Sequence, residues 1–255
     1  MLKILLERLR QGHRTIRYPD GPPPDMPDRF RGRPVIDSAK CADGCRACAD
    51  ACPTGAVIPG DTVRMDLGKC LFCTECVASC PQQAITYSAD YRLAVRRRED
   101  LLISEDQQIV KLASALDAKL RRLFGRSLKL RQVSAGGCNA CEADVNVLNT
   151  VGWDLGRFGI QMVASPRHAD GLLITGPVTR NMELALRKTY DAVPDPKVVI
   201  AVGACAISGG PYIGHEQVLG PADAAVPVDL YIPGCPPHPL TILDGLLRLI
   251  AARCE

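Results

Sequence analysis

The sequence predicts an α/β protein made of two modules, a short cysteine-rich module followed by a larger domain built on a parallel sheet. Two observations support this prediction. Eight cysteines fall within residues 41–81, and in the second half of the chain four short apolar runs alternate with helical or turn-rich stretches. Such alternation is typical of parallel strands joined by crossover helices. With 255 residues, the chain is long enough for two ordinary domains.

The first ten residues have the pattern of a short amphipathic helix. Leu2, Ile4, Leu5 and Leu9 recur at roughly helical spacing among basic residues. Two interpretations remain open: the helix docks on a membrane or a membrane-embedded partner, or it packs on its own domain. The stretch is too short and too charged for a secretory signal, so we expect a cytosolic, reducing location. Residues 18–27 are rich in proline and are expected to be extended.

The cysteines of residues 41–81 form two copies of one motif, each ending in Cys-Pro. The second copy has the spacing of bacterial ferredoxins that hold two [4Fe–4S] clusters, in which the last cysteine of each copy ligates the other cluster. On this basis we predict two sites. The cluster 1 site is Cys41, Cys45, Cys48 and Cys80, and the cluster 2 site is Cys70, Cys73, Cys76 and Cys52.

Zinc is the main alternative for clustered cysteines, because four-cysteine zinc sites are common. Eight cysteines with two Cys-Pro endings favour iron–sulfur clusters instead, and disulfides are rare in a reducing compartment. The first copy departs from the ferredoxin spacing, since three residues rather than two separate Cys41 from Cys45. We expect Gly44 to give the loop the freedom to absorb the extra residue.

The two modules are expected to be joined by a helix within residues 101–127. Between Ser104 and Leu123, apolar residues recur at helical spacing, with acidic residues early and basic residues late. The predicted domains are therefore residues 1–100, the linking helix at 101–127, and residues 128–255.

Four more cysteines follow strands of the predicted parallel sheet. The strands are expected at Leu128–Val133, Gly171–Thr175, Val198–Val202 and Val228–Ile232, and the last helix at Pro239–Arg253. Because the carboxyl ends of parallel strands lie at one edge, the loops that follow them should meet there. Helix N-termini also open toward that edge and favour an anionic group. The predicted cluster 3 site is Cys138, Cys141, Cys205 and Cys235, which leaves Cys254 as a spare thiol.

Four segments of the second half carry a resemblance to a known family. They are Cys138-Asn-Ala-Cys141-Glu142, Gly176-Pro-Val-Thr-Arg-Asn-Met182, Gly203-Ala-Cys-Ala-Ile-Ser-Gly-Gly210 and Ile232-Pro-Gly-Cys-Pro-Pro-His-Pro239. They resemble the small subunit of group 4 membrane-bound [NiFe]-hydrogenases and its complex I homologue. In complex I the first pair of cysteines is adjacent, whereas Cys138-x2-Cys141 is similar to the hydrogenase branch. Residues 1–100, including Arg29-Phe-Arg-Gly-Arg-Pro34, resemble the ferredoxin-like subunit of the same complexes, such as formate hydrogenlyase.

The resemblance implies a fusion of two neighbouring subunits, with a two-cluster ferredoxin-like module and a flavodoxin-like parallel-sheet domain. It implies an electron-transfer subunit of a membrane-associated [NiFe]-hydrogenase, with three [4Fe–4S] clusters relaying electrons to or from a catalytic large subunit. The expected partners are that large subunit, integral membrane subunits, and an electron donor or acceptor protein. The expected location is cytoplasmic, peripheral on the inner face of the cell membrane.

Two alternatives to the hydrogenase interpretation remain. One is the equivalent subunit of a complex I-like quinone-reducing complex, or of a hydrogenase-related complex without a nickel site. The other is a freestanding polyferredoxin-like carrier. The nickel–iron centre of a hydrogenase would belong to the large subunit, because this chain has no further cysteine pairs to hold it.

Glu142 is the one candidate for acid–base chemistry, because it matches a glutamate position of the family. It is either a proton relay or a first-turn residue stabilised by the helix dipole, and we favour the second interpretation. His168, His215 and His238 are expected to be structural or surface residues. The net charge is +3, with 22 Lys and Arg against 16 Asp and Glu in residues 1–130. This balance is too weak to indicate nucleic acid as a partner.

Overall fold

The N-terminal helix stands out from the rest of the protein. The computed structural model describes residues 2–12, 14–105, 111–113 and 127–250. Helix α1 spans Leu2–Gln11, as predicted, and none of its residues is buried. Leu2 and Leu9 are 74% and 79% exposed. The interpretation that this helix packs on its own domain is therefore wrong for the described structure. Within those residues, none of the helices has both the length and the apolar character that crossing a membrane requires.

Hydrogen bonds connect the segment after α1 to the C-terminal domain. The guanidinium of Arg157 donates hydrogen bonds to the carbonyl oxygens of Ile16 and Tyr18, both at 2.6 Å. The Tyr18 side chain is buried, and its hydroxyl donates to the carboxylate of Asp244 at 2.8 Å. After a turn at residues 18–20, the proline-rich stretch is free of helix and strand, as expected from its composition.

The cysteine-rich module is built from two similar halves. Each half places its third cysteine in a short helix and then forms a strand after the Cys-Pro pair. The first half contains α2 (Ala47–Asp50) and β2 (Val57–Ile58), and the second contains α3 (Glu75–Ala78) and β4 (Ile85–Tyr87). Strand β1 (Pro34–Ile36) pairs antiparallel with β4. Strand β3 (Arg64–Asp66) lies between β2 and β5 (Leu102–Ser104) in an antiparallel sheet.

The predicted linking helix lies almost entirely outside the described residues. Residues 106–110 and 114–126 are not described, so the predicted helix between Ser104 and Leu123 stays a prediction. The expected linker begins with strand β5, because Ile103 is buried and the backbone of residues 102–104 pairs with β3.

The C-terminal domain is an α/β layer structure around a five-stranded parallel sheet, which confirms the predicted flavodoxin-like fold. The strands are β6 (Leu128–Ser134), β7 (Ile160–Met162), β8 (Gly171–Thr175), β10 (Val198–Val202) and β12 (Leu230–Ile232), in the spatial order β7-β6-β8-β10-β12. This is the doubly wound order in which the second strand lies outside the first. Strands β9 (Val178–Thr179) and β11 (Val218–Gly220) form a separate antiparallel pair.

In the described part of the domain, four helices accompany the sheet: α4 (Ala140–Val147), α5 (Arg180–Ala192), α6 (Ala204–Ser208) and α7 (Pro239–Leu249). Helix α7 is buried along most of its length, which accounts for its nearly continuous apolar sequence. It begins at Pro239 as predicted, and its described end is Leu249; residues 251–255 are not described. Strand β12 begins at Leu230 rather than at Val228. The carboxylate of Asp229, the residue before it, accepts the backbone N–H of Val199 at 2.8 Å.

The two modules share an interface made by the backbone before β5. Val95 and Tyr231 exchange two backbone hydrogen bonds of 3.0 and 2.9 Å, so this segment pairs with the edge strand β12. Arg96 donates to the carbonyl oxygen of Asp229 at 2.7 Å. One hydrophobic core contains residues of both modules, including Met65 and Ile207. These contacts fix the position of the cysteine-rich module against the sheet.

Candidate iron–sulfur sites

All twelve described cysteines are free thiols, and they lie in three groups. In the cluster 1 site, burial raises the pKa of Cys41, and the nearby thiolates of Cys80 and Cys45 raise it further. The pKa of Cys48 is raised in the same way by burial and then by Cys80 and Cys41. Cys80, from the second motif, therefore lies among the cysteines of the first.

The cluster 2 site has the reciprocal arrangement. Burial raises the pKa of Cys70 to about 12, and Cys76 and Cys52 are its charged neighbours. Burial also raises the pKa of Cys76, with smaller contributions from Cys73 and Cys52. Cys52, from the first motif, thus lies among the cysteines of the second. The structure brings together the thiols that the motif predicts as ligand sets, although their binding of iron remains a prediction.

Backbone N–H groups are directed at the cysteine sulfurs of this module. In each half the amide four residues after the Cys-Pro cysteine donates to its sulfur, Ala56 to Cys52 at 3.2 Å and Ala84 to Cys80 at 3.3 Å. Phe72, at a φ of +54°, donates its amide to Cys70 at 3.3 Å. Burial would raise the pKa of Cys52, but the hydrogen bonds it accepts outweigh this effect and lower it. Such bonds favour the thiolate form that ligates iron.

The cluster 3 site lies at the carboxyl edge of the parallel sheet. Cys138 and Cys141 follow β6, Cys205 is in α6 after β10, and Cys235 follows β12. Burial raises the pKa of Cys205 to about 11, with Cys235 and Cys138 as its nearest thiolate charges. Burial raises the pKa of Cys141, and the charges of Glu142 and of the other three cysteines add to this effect. The four thiols therefore meet as predicted from the topology of parallel strands.

Two glycines leave room for the sulfurs of the cluster 3 site. A Cβ atom on Gly203 would lie 2.5 Å from the Cys141 sulfur, and one on Gly210 would lie 2.6 Å from the Cys205 sulfur. Both glycines have positive φ, +90° and +56°. Each position requires a positive φ and no Cβ atom beside the sulfur, and only glycine meets both requirements without displacing a thiol.

These donor sets fit a [4Fe–4S] cluster. Each site offers four thiols, and four thiolates are the usual ligands of such a cluster. Among the described residues, no three His, Cys, Asp or Glu side chains are arranged to hold a single metal ion. At the cluster 1 site, Ser38 and Cys41 line a cavity of about 580 Å³. The hydroxyl of Ser38 is buried and has no hydrogen-bond partner in the described part of the chain.

The three sites form a row of neighbours. The charge of Cys48, in the cluster 1 site, acts on Cys76 in the cluster 2 site. Burial and the charge of Cys138 raise the pKa of Cys235, and Cys73 of the cluster 2 site adds to this effect. Cys73 and Cys235 also line one cavity of about 500 Å³ between the two modules. The cluster 2 site therefore lies between the other two.

Glu142 is a buried residue beside the cluster 3 site. It lies in the first turn of α4, and its carboxylate accepts a hydrogen bond from the Thr175 hydroxyl at 2.7 Å. Its place in the first turn agrees with the favoured interpretation of Glu142 as a helix-start residue. Thr175, at the end of β8, was not identified from the sequence, because a single threonine at a strand end carries no recognisable pattern.

Two of the histidines, His238 and His215, accept hydrogen bonds from the nearby backbone and have local structural roles. His238 is the N-cap of α7, and its Nδ1 atom accepts the backbone N–H of Leu240 at 3.1 Å. Nδ1 of His215 accepts the backbone N–H of Gln217 at 3.2 Å. His168 lies exposed in a short helical turn.

Comparison with known proteins identifies two families along the chain. Residues 138–249 match the family described as NADH ubiquinone oxidoreductase, 20 Kd subunit. Residues 33–81 match the 4Fe-4S dicluster domain. Each match lies within one of the two modules.

Three relatives, named for three kinds of complex, are similar to about half of this chain. The probable membrane-bound hydrogenase subunit mbhJ of Pyrococcus furiosus is 42% identical over 130 residues, which is 51% of this chain and 78% of the relative. Formate hydrogenlyase subunit 7 of Escherichia coli is 45% identical over 132 residues, 52% of each chain. An NADH-quinone oxidoreductase subunit of Bacteroides thetaiotaomicron is 42% identical over 128 residues, 49% of this chain and 64% of the relative. The similarity thus covers about half of the length of the formate hydrogenlyase subunit.

Proposed function

Because this chain belongs to the family of the NADH ubiquinone oxidoreductase 20 kDa subunit and carries a 4Fe-4S dicluster domain ahead of it, we propose that it relays electrons within a membrane-associated [NiFe]-hydrogenase complex. The electrons would pass through three [4Fe–4S] clusters to or from a catalytic large subunit. The observation that carries this proposal is the row of three four-cysteine sites, with Cys73 and Cys235 lining one cavity at the module interface.

The domain organisation proposed for this role is a two-cluster module at residues 1–100, a linker at 101–127 and a cluster-binding domain at 128–255. The pairing of Val95 with Tyr231 and the shared core hold the modules in one relative position. A covalent link combined with a fixed interface keeps electron carriers at a constant separation, which separate subunits achieve only by binding.

The hydrogenase branch is favoured over the complex I branch by one motif. Cys138 and Cys141 are separated by two residues, as in the hydrogenases that the chain resembles. Overall sequence identity does not distinguish the hydrogenase branch from the complex I branch. The relatives named for hydrogenase, formate hydrogenlyase and NADH-quinone oxidoreductase subunits are all 42–45% identical to this chain. The alternative is the same electron-relay role in a quinone-reducing or hydrogenase-related complex without nickel.

The experiment that separates these functions is purification of the complex that contains this chain. The proposal expects a co-purifying large subunit with two Cys-x2-Cys pairs, bound nickel, and hydrogen evolution from a reduced electron donor. A large subunit without those pairs and without nickel would contradict the hydrogenase assignment and favour the alternative. A stable monomer with no partner would indicate a freestanding carrier.

We also propose that the chain is peripheral on the cytoplasmic face of the membrane, with α1 lying on an anionic lipid surface. Leu2, Leu5, Leu6 and Leu9 follow helical spacing along one side of α1 and are all more than half exposed. Lys3, Arg8 and Arg10 accompany this apolar stripe, and Glu7 is the only acidic residue of the helix. An apolar stripe with basic neighbours suits the boundary between acyl chains and anionic headgroups.

Replacing Leu5 and Leu9 together with glutamine should weaken membrane binding by at least about tenfold, since each leucine contributes about 1.5–3 kcal/mol when fully buried. The measurement is co-sedimentation of the purified full chain, without its membrane-embedded partners, with vesicles of phosphatidylcholine containing phosphatidylglycerol. Ile4, which the sequence pattern grouped with these leucines, lies off the leucine stripe in the helix and is 73% exposed, so Ile4→Gln is the matched control. Equal sedimentation of the double variant and the parent would contradict the proposed lipid contact.

A further inference from the structure

Tyr87 lies at the cluster 2 site, where neither the cysteine motif nor the family comparison assigns it a role. It is the last residue of β4, and its pairing with Pro34 on β1 fixes its backbone. Its hydroxyl oxygen is 3.6 Å from the sulfur of Cys70 and 3.9 Å from the sulfur of Cys76. Its ring lies against Phe72, with 6.0 Å between ring centroids.

The chemistry of the two partners decides which atom donates the hydrogen bond. A cysteine that ligates iron is a thiolate and carries no proton, so it can only accept. The phenol O–H is then the donor, and its single proton is shared between the two sulfurs. Cys70 and Cys76 are each only 6% exposed, so water competes little for these sulfurs.

We propose that Tyr87 donates an O–H···S hydrogen bond to the Cys70 and Cys76 thiolates and thereby raises the reduction potential of cluster 2. Hydrogen bonds to the sulfurs are among the factors that set the potential of an iron–sulfur cluster. A hydrogen bond to a charged sulfur becomes stronger as the negative charge on the sulfur grows. The bond therefore stabilises the reduced cluster more than the oxidised cluster. The inference rests on the proposed function, since it assumes that the cluster 2 site holds an iron–sulfur cluster.

The internal repeat of the module provides a comparison for this position. Aligning Cys52-Pro53 with Cys80-Pro81 places Pro59 opposite Tyr87. Pro59 lines the cavity that also contains Cys41 and Cys45 of the cluster 1 site. Proline has neither an O–H nor a backbone N–H, so it donates nothing to those thiols.

One pair of sulfur contacts is equivalent in the two halves, whereas the Phe72 amide bonds to Cys70 in the second half and adds to the contribution of Tyr87 there. The amides of Ala56 and Ala84 make equivalent bonds to Cys52 and Cys80. Acidic groups add to the difference, since the charges of Asp37 and Glu105 act on Cys41 at the cluster 1 site. Negative charge beside a cluster disfavours its reduction. Tyr87 therefore helps to place the potential of cluster 2 above that of cluster 1.

Tyr87→Phe in the full complex tests this inference, because it removes only the hydroxyl. In an anaerobic redox titration followed by EPR, the cluster 2 signal is the one altered by Cys73→Ser. Its potential should become more negative in Tyr87→Phe, by up to about a tenfold change in the reduction equilibrium, or about 59 mV for one electron. The potentials of clusters 1 and 3 should not move. Tyr190→Phe is the matched control, since Tyr190 lies on α5 against Lys197 and should shift no potential.

Two further readouts distinguish a tuning role from a structural one. Iron content should be the same in Tyr87→Phe and the parent, and after exchange into D2O an ENDOR spectrum of cluster 2 should lose one exchangeable proton coupling when Tyr87 is replaced. An unshifted potential, an unchanged proton coupling or a loss of iron in Tyr87→Phe would each overturn the inference. A parent complex without iron–sulfur clusters would instead overturn the proposed function.

Discussion

Cys80→Ser is expected to remove cluster 1, although Cys80 belongs to the second cysteine motif. The structure places Cys80 beside Cys41 and Cys48, whose pKa values it raises, and the Ala84 amide holds its sulfur in place. Serine is a poorer ligand for iron than a thiolate, so the cluster 1 site should lose its cluster or hold it incompletely. The loss should be about four of the roughly twelve irons per chain, which follows from four irons per cubane.

The measurement is iron content together with EPR of the chemically reduced complex. Cys52→Ser should give the reciprocal result and remove cluster 2, because Cys52 neighbours Cys70 and Cys76. Cys254→Ser is the matched control, since the sequence predicts Cys254 to be a spare thiol and all three clusters should survive its replacement. If Cys80→Ser removed the signal that Cys73→Ser also removes, the crossed assignment of ligands would be wrong.

Gly203→Ala is expected to disrupt cluster 3 while leaving clusters 1 and 2 in place. The added methyl group would lie 2.5 Å from the Cys141 sulfur, so the sulfur has to leave its position among the four thiols. The residue also has a φ of +90°, which costs a non-glycine residue on the order of 1–3 kcal/mol. Electron transfer to the large subunit should then fall at least about tenfold, because a displacement of about 1 Å at a reacting centre has effects of this size or larger.

Gly214→Ala separates the two causes of that effect. Gly214 also has a positive φ, +78°, but a Cβ atom there meets nothing within 4 Å. Gly214→Ala should therefore lose stability because alanine has to adopt a positive φ, and cluster 3 should not change. The EPR signal of cluster 3 and the rate of hydrogen evolution report the difference. An intact cluster 3 signal in Gly203→Ala would contradict the assignment of Cys141 as a ligand.

The elements with strong periodic or apolar patterns were predictable from the sequence. Strands Gly171–Thr175 and Val198–Val202 have the predicted bounds, because every residue in them is buried and the sequence is accordingly apolar. Strand β7 was not predicted, since it has only three residues and its middle residue, Gln161, is exposed. A pattern this short does not distinguish a strand from a loop.

Contacts between distant segments were beyond the reach of local patterns. The pairing of Val95 with Tyr231 and the hydrogen bond of Tyr18 to Asp244 join residues more than a hundred positions apart. The grouping of the cluster 3 cysteines was predictable, because the edge of a parallel sheet gathers its loops by a general rule. The approach of Cys73 to Cys235 was not, since it depends on how one module docks on the other.

The central claim is that twelve thiols hold three [4Fe–4S] clusters, and the metal content of the anaerobically purified protein tests it most directly. Iron, acid-labile sulfide and zinc should be determined per chain on a single sample. We predict about twelve irons and about twelve sulfides, from three four-iron clusters, with no stoichiometric zinc. Zinc in stoichiometric amount, or an iron content near eight or below, would contradict the account.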